Sequence, residues 1–195
     1  MRKILFLILI GFSSMLYAQK AQEFPVLHGD YLGQTPPGDT PRVFAPEIVS
    51  TIYMEHSAPT FSPDGNEVFW RVAKGFISNP DILISPKTMK RIGNRWTAPM
   101  DSPYGGTPFF SPDGKRLYFE VLLPYSKADG PFFVEKQGYS WSEPKNIGLI
   151  ARFPELKAAL NPSVTQNGTL YFAGDTAGLG MIKDHVICRV KLLNG

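Results

Sequence analysis

The groups in this 195-residue chain that could do chemistry are a few carboxylates, three histidines and one thiol. Glu55 and His56 are neighbours, Glu120 closes the run Leu117-Tyr118-Phe119, and Arg71 follows Trp70. Two converging carboxylates are the minimum for glycoside cleavage, and Glu55 and Glu120 are the pair to test for it. Tyr104, beside Gly105 and Gly106, is suited to stacking on a sugar or a peptide. His28, His56 and His185 are too scattered to form a metal set. Asp175, Asp184 and His185 share a loop and a strand start and read as a solvated loop. No G-x-S-x-G, H-E-x-x-H, paired C-x-x-C, P-loop or G-x-G-x-x-G occurs. Gly178-Leu179-Gly180 is a lone loop pair. No catalytic residue, metal or cofactor is therefore expected. Cys188, the single cysteine, sits in Val186-Ile187-Cys188-Arg189-Val190 and reads as a small buried hydrophobe.

The elements that must position these groups show first in the composition. Pro and Gly number 18 each, about 9% apiece, against usual values near 5% and 7%. Hydrophobic residues make up 43% and charged residues 19%, which excludes a disordered chain. Short strands joined by tight turns fit best. Arg2 and Lys3, an apolar run over 4–12 and Leu16-Tyr17-Ala18 read as a secretory signal cleaved after Ala18. The run is about half the roughly 20 apolar residues a spanning helix needs, so no membrane span is expected. Export places the chain in the periplasm or outside the cell. The formal charge of +3 comes from 20 basic and 17 acidic residues. It falls to +1 when Arg2 and Lys3 leave with the signal, and no cationic track suggests nucleic acid.

Internal repetition is the main signal. Phe61-Ser62-Pro63-Asp64-Gly65, Phe110-Ser111-Pro112-Asp113-Gly114 and Val164-Thr165-Gln166-Asn167-Gly168 align on a glycine, with spacings of 49 and 54 residues. Each leads into an aromatic strand: Val68-Phe69-Trp70, Leu117-Tyr118-Phe119 and Leu170-Tyr171-Phe172. Hairpins are expected over 57–72, 106–121 and 160–174. Pro63, Asp64, Gly65, Pro112, Asp113, Gly114, Asn167 and Gly168 are turn residues by type. A three-residue loop pairing Ser62 with Asn66 would set Phe61 and Phe69 on one face. A two-residue Asn-Gly loop pairing Gln166 with Thr169 would do the same for Val164 and Tyr171.

Apolar character on both faces of the second strands implies sheets packed between sheets. Third strands follow at Asp81–Ser85, Phe132–Glu135 and His185–Val190. Fourth strands run into Trp96-Thr97-Ala98-Pro99 and Trp141-Ser142-Glu143-Pro144. The pattern predicts an all-β chain of four-stranded antiparallel β-propeller blades. On the S-P-D-G hairpins and aromatic strands, residues 40–195 resemble the TolB-like, WD40-like β-propeller repeat proteins. The repeat serves unrelated functions, so the resemblance implies a fold and a repeat scaffold.

On a propeller plan, residues 19–42 form an extended leader and 43–195 a partial ring of three to three and a half blades. Phe44–Val49 looks like a stray fourth strand. The expected binding residues lie at the channel mouth: Glu55, His56, Arg71, Tyr104 and Glu120, with the loops Lys74–Pro80, Pro124–Gly130 and Asp175–Asp184. The expected function is non-enzymatic binding of a protein or a cell-envelope glycan. A glycan hydrolase or lyase and a truncated fragment are the alternatives, and a homodimer is one way to complete a ring.

Overall fold

The protein is seen here in a computed structural model that describes residues 24–74, 83–120, 130–176 and 185–192, apart from the side chains of His56 and Leu83. The predicted signal and most of the channel-mouth loops lie outside the described residues. The fold is all-β, with antiparallel strands in three sheets. Among the described residues no helix is long and apolar enough to cross a membrane.

Sheet 1 holds β1 (Met54–Phe61), β2 (Glu67–Lys74) and β3 (Leu83–Ile92), with β4 (Arg95–Trp96) and β5 (Met100–Asp101) both on the outer edge of β3. Sheet 2 repeats this with β6 (Phe109–Phe110), β7 (Arg116–Glu120) and β8 (Pro131–Gln137), and with β9 (Ser140–Trp141) and β10 (Lys145–Asn146) on β8. Sheet 3 has β11 (Ala158–Val164), β12 (Thr169–Asp175) and β13 (His185–Lys191). A short helix, α1 (Leu149–Arg152), links sheets 2 and 3.

The hairpin register differs from the sequence expectation. Phe61 pairs with Val68, Phe110 with Leu117, and Val164 with Leu170. Each loop is thus one residue longer than turn propensity predicts. The cause is a hydroxyl at the first position after the strand. Ser62 Oγ accepts the N–H of Asn66 (3.1 Å) and Glu67 (2.9 Å) and donates to Asp64 (2.5 Å). Ser111 accepts from Arg116 (2.9 Å) and donates to Asp113 (2.6 Å). Thr165 accepts from Thr169 (3.1 Å) and donates to Asn167 (2.7 Å). The glycine of each loop takes a left-handed φ of 68–76°, which only glycine adopts at little cost.

The shift is the same in all three, so equivalent residues still share a face. Phe61 joins Val68 and Trp70, while Phe69 points the other way into sheet 2. The sheets stack in order. Phe69 meets Phe110, Leu117, Phe119 and Val134 of sheet 2. Tyr118 and Phe133, on the opposite face of sheet 2, meet Val164, Leu170 and Phe172 of sheet 3. β2 is buried along seven consecutive residues, as two packed faces require. β12 largely alternates between buried and half-buried, and β13 exposes Val186 and Ile187. Among the described residues the far face of sheet 3, where Ile187 is 80% exposed, is thus only partly covered.

The outer face of sheet 1 is covered by residues 24–50. Leu32, Ala45 and Val49 are buried there against Val68, Trp70, Met89 and Trp96. Trp96 holds this stretch through its indole N–H to Gly29 O (2.7 Å) and its backbone N–H to Leu27 O (3.0 Å). Phe44–Val49 is not a strand. Ala45 and Glu47 have φ of 42° and 66°, and the N–H of Ile48 and Val49 both return to Ala45 O. That compact turn cannot pair along a strand edge.

Candidate binding site

Three of the sequence-predicted residues collect at one end of the interfaces between sheets. Arg71 on β2 and Glu120 on β7 occupy equivalent positions, each on the face turned toward the next sheet. Both are buried, at 4% and 6% exposure. The Glu120 carboxylate accepts the backbone N–H of Asn161, whose φ of 52° aims that group at it. Thr107 holds the Asn161 side chain at 3.1 Å. Burial pushes the Glu120 pKa above the usual carboxylate value. The Asn161 bond and the positive charge of Arg71 act against that rise without cancelling it.

Gly106 lets the chain pass this carboxylate. A Cβ there would lie 2.5 Å from Glu120 Cβ and 2.7 Å from its backbone N and O. Tyr104 lies between Phe69 (6.2 Å) and Phe119 (5.2 Å), and burial raises its hydroxyl pKa, with help from Glu143 and Glu67. Its ring is therefore engaged in packing between sheets. Glu55 accepts from the backbone N–H (2.8 Å) and hydroxyl (3.0 Å) of Thr51. Both carboxylates proposed for glycan cleavage thus serve as anchors for backbone. The side chain of His56, on β1, lies outside the described residues. Asp175 and His185 face each other across β12 and β13 at 4.0 Å, and Asp184 lies outside the described residues. Cys188 is half-buried at the edge of the core between sheets 2 and 3.

A cleft of about 620 Å³ opens between sheets 2 and 3 at the hairpin end. Arg116, Tyr118 and Glu135 line one wall, and Val164, Thr165 and Leu192 the other. Arg116 bonds Glu135 at 3.1 Å and lies over the Phe133 ring at 5.1 Å. Lys145 reaches the same carboxylate at 2.5 Å, and these two cations hold Glu135 below the usual carboxylate pKa. The wall therefore offers a guanidinium, an ionised carboxylate and an aromatic edge, opposite the apolar Val164 and Leu192 and the polar Thr165. Such a surface can stack a planar or apolar group and hydrogen-bond it at the rim.

Pro112, Asp113 and Gly168 stand out in the sequence as turn residues, and none of the other cleft residues stands out by type. The signal that could have found the cleft is positional. Trp96 and Trp141 follow the third strands of the first two repeats at the same register, beside the faces on which the cleft opens in sheet 3. Comparison with family models, with curated proteins and with solved structures returns no match.

Proposed function

We propose that the chain is an exported, non-enzymatic binding module of the TolB-like, WD40-like β-propeller type, engaging a protein or a cell-envelope glycan. The observation that carries this reading is the cleft between sheets 2 and 3, a concave surface of mixed charge and apolar character on a rigid stack. Three sheets with the same hairpin chemistry, packed face against face, are what propeller blades would look like. In two of them β4 with β5, and β9 with β10, would act as one interrupted fourth strand.

The enzymatic alternative, a glycan hydrolase or lyase, has less support. It needs free carboxylates, and Glu55 and Glu120 are each occupied by backbone N–H groups. A homodimer that closes a ring through the outer face of sheet 1 would first have to displace residues 24–50, which bury Leu32, Ala45 and Val49 there.

The test applies the chain from Gln19 onward to a glycan array and to a pull-down from envelope extract. Retention of a defined glycan or protein is expected. Gln166→Trp, which fills the cleft from an exposed turn position, should abolish it, and Glu120→Gln should leave it unchanged. Turnover of a captured glycan that disappears in Glu120→Gln would overturn the reading in favour of an enzyme.

A further inference from the structure

Residues 24–50 make the same three contacts with sheet 1 that sheet 1 makes with sheet 2. Lys136 and Trp141 pair across β8 and β9 and lean on sheet 1. The Lys136 ammonium reaches one oxygen of Glu67 at 3.0 Å, and the Trp141 indole N–H reaches the other at 3.2 Å. Phe69 packs on Phe110 at 5.7 Å. Arg91 and Trp96 pair across β3 and β4 in the equivalent register and lean on residues 24–50. The Arg91 guanidinium pairs with Asp30, and the Trp96 indole N–H reaches Gly29 O at 2.7 Å. Tyr31 packs on Phe61 at 5.3 Å, and Phe44 adds a second ring at 6.0 Å. Cation to carboxylate, indole to oxygen and ring to ring are thus reproduced without a strand. The Glu67 side chain is 7% exposed and that of Asp30 is 76% exposed, so the substitute is the weaker of the two.

Residues 24–50 hold these contacts against the preference of their own backbone. Five non-glycine residues among those described have a positive φ, and four of them are Tyr31, Leu32, Ala45 and Glu47, at 42–66°. Residues with a Cβ keep such angles only where their surroundings impose them. Ladder pairing of residues 24–50 with the sheets is, among the described residues, one bridge, His28 with Arg95. A segment held by packing and by few backbone bonds opens before the sheets do. Its root is fixed. Glu55 of β1 accepts both the N–H (2.8 Å) and the hydroxyl (3.0 Å) of Thr51, so opening pivots before Thr51. The movement carries Leu32, Ala45 and Val49 away from Val68, Trp70, Met89 and Trp96. The face it bares is the one that, in sheet 2, receives a whole sheet.

We infer that residues 24–50 are a strap that takes the place of a sheet on sheet 1 and opens as one unit, switching the outer face of sheet 1 between a covered and a bare state. While the strap is closed, no sheet can reach Phe61, Trp70 or Trp96. This goes beyond the binding-module proposal and does not use its cleft.

The experiment follows native-state amide exchange of the chain from Gln19 onward over sub-denaturing urea. The probes are the N–H groups of Gly29, Val49 and Trp96, which are bonded to Asn94, Ala45 and Leu27. The three should exchange through one shared opening, well ahead of the amides that pair β2 with β3. Asp30→Asn should speed all three together by about two- to fivefold, the worth of a partly exposed ion pair, and leave the β2–β3 ladder unchanged. Three unrelated rates would overturn the inference, because the segment then frays residue by residue. One rate shared with the β2–β3 ladder would overturn it too, because residues 24–50 then unfold only with sheet 1. Both contrary results are read on the parent chain, so a poorly folding variant leaves the test intact.

Discussion

Ser62, Ser111 and Thr165 decide the hairpin geometry through one oxygen each, accepting backbone N–H groups and donating to an Asp or Asn two residues on. Ser111→Ala should cost about 1–3 kcal/mol, the usual range for leaving such a group unpaired, read by urea denaturation. The Ser111 hydroxyl is also the main reason the Asp113 pKa lies below its ordinary 3.8. A carboxylate with a lowered folded pKa lends stability above its unfolded value and loses it as pH falls below that value. The cost of Ser111→Ala should therefore shrink between pH 6 and pH 2.5. Glu120 has the opposite sign. Its raised pKa means the folded chain loses stability as pH rises from about its ordinary 4.5 through the folded value. Glu120→Gln does not titrate, so its melting temperature relative to the parent should climb from pH 4 to pH 7. Gly106→Ala should destabilise by about 2 kcal/mol or more, because the left-handed φ of 68° and the contact with the Glu120 backbone both oppose a Cβ.

The strand pattern was legible in the sequence at the level of elements. The aromatic runs mark β2, β7 and β12, and the apolar runs after them mark β8, β13 and the start of β3, because side-chain alternation and turn chemistry are local properties; β3 itself runs on to Ile92, beyond the expected Ser85. The loop length was not legible, since Pro-Asp-Gly and Asn-Gly propensities predict shorter turns than the Ser and Thr hydroxyls enforce. The burial of residues 24–50 was not legible either. Phe24, Leu27, Leu32 and Phe44 are spaced irregularly, and only the face of sheet 1 makes them a layer. Trp96 is the element that fastens that layer, through two bonds to it and an edge contact with Phe61. Trp96→Ala should cost about 3–5 kcal/mol. Limited proteolysis should then cut within residues 24–50 before it reaches the sheets.

At the scale of the whole molecule, three sheets stack in sequence, and each near face is closed by what precedes it. Residues 24–50 close sheet 1, sheet 1 closes sheet 2, and sheet 2 closes the core side of sheet 3. The central claim is that, among the described residues, the flank of β13 carries no counterpart of the β4 and β9 strands that hold β3 and β8. Residue-resolved amide exchange on the free chain tests it most directly, at Lys90, Glu135 and Lys191. The account predicts slow exchange at Lys90 and Glu135, whose N–H groups are held by Thr97 and Ser142, and fast exchange at Lys191. Equal protection at all three, independent of protein concentration, would contradict it.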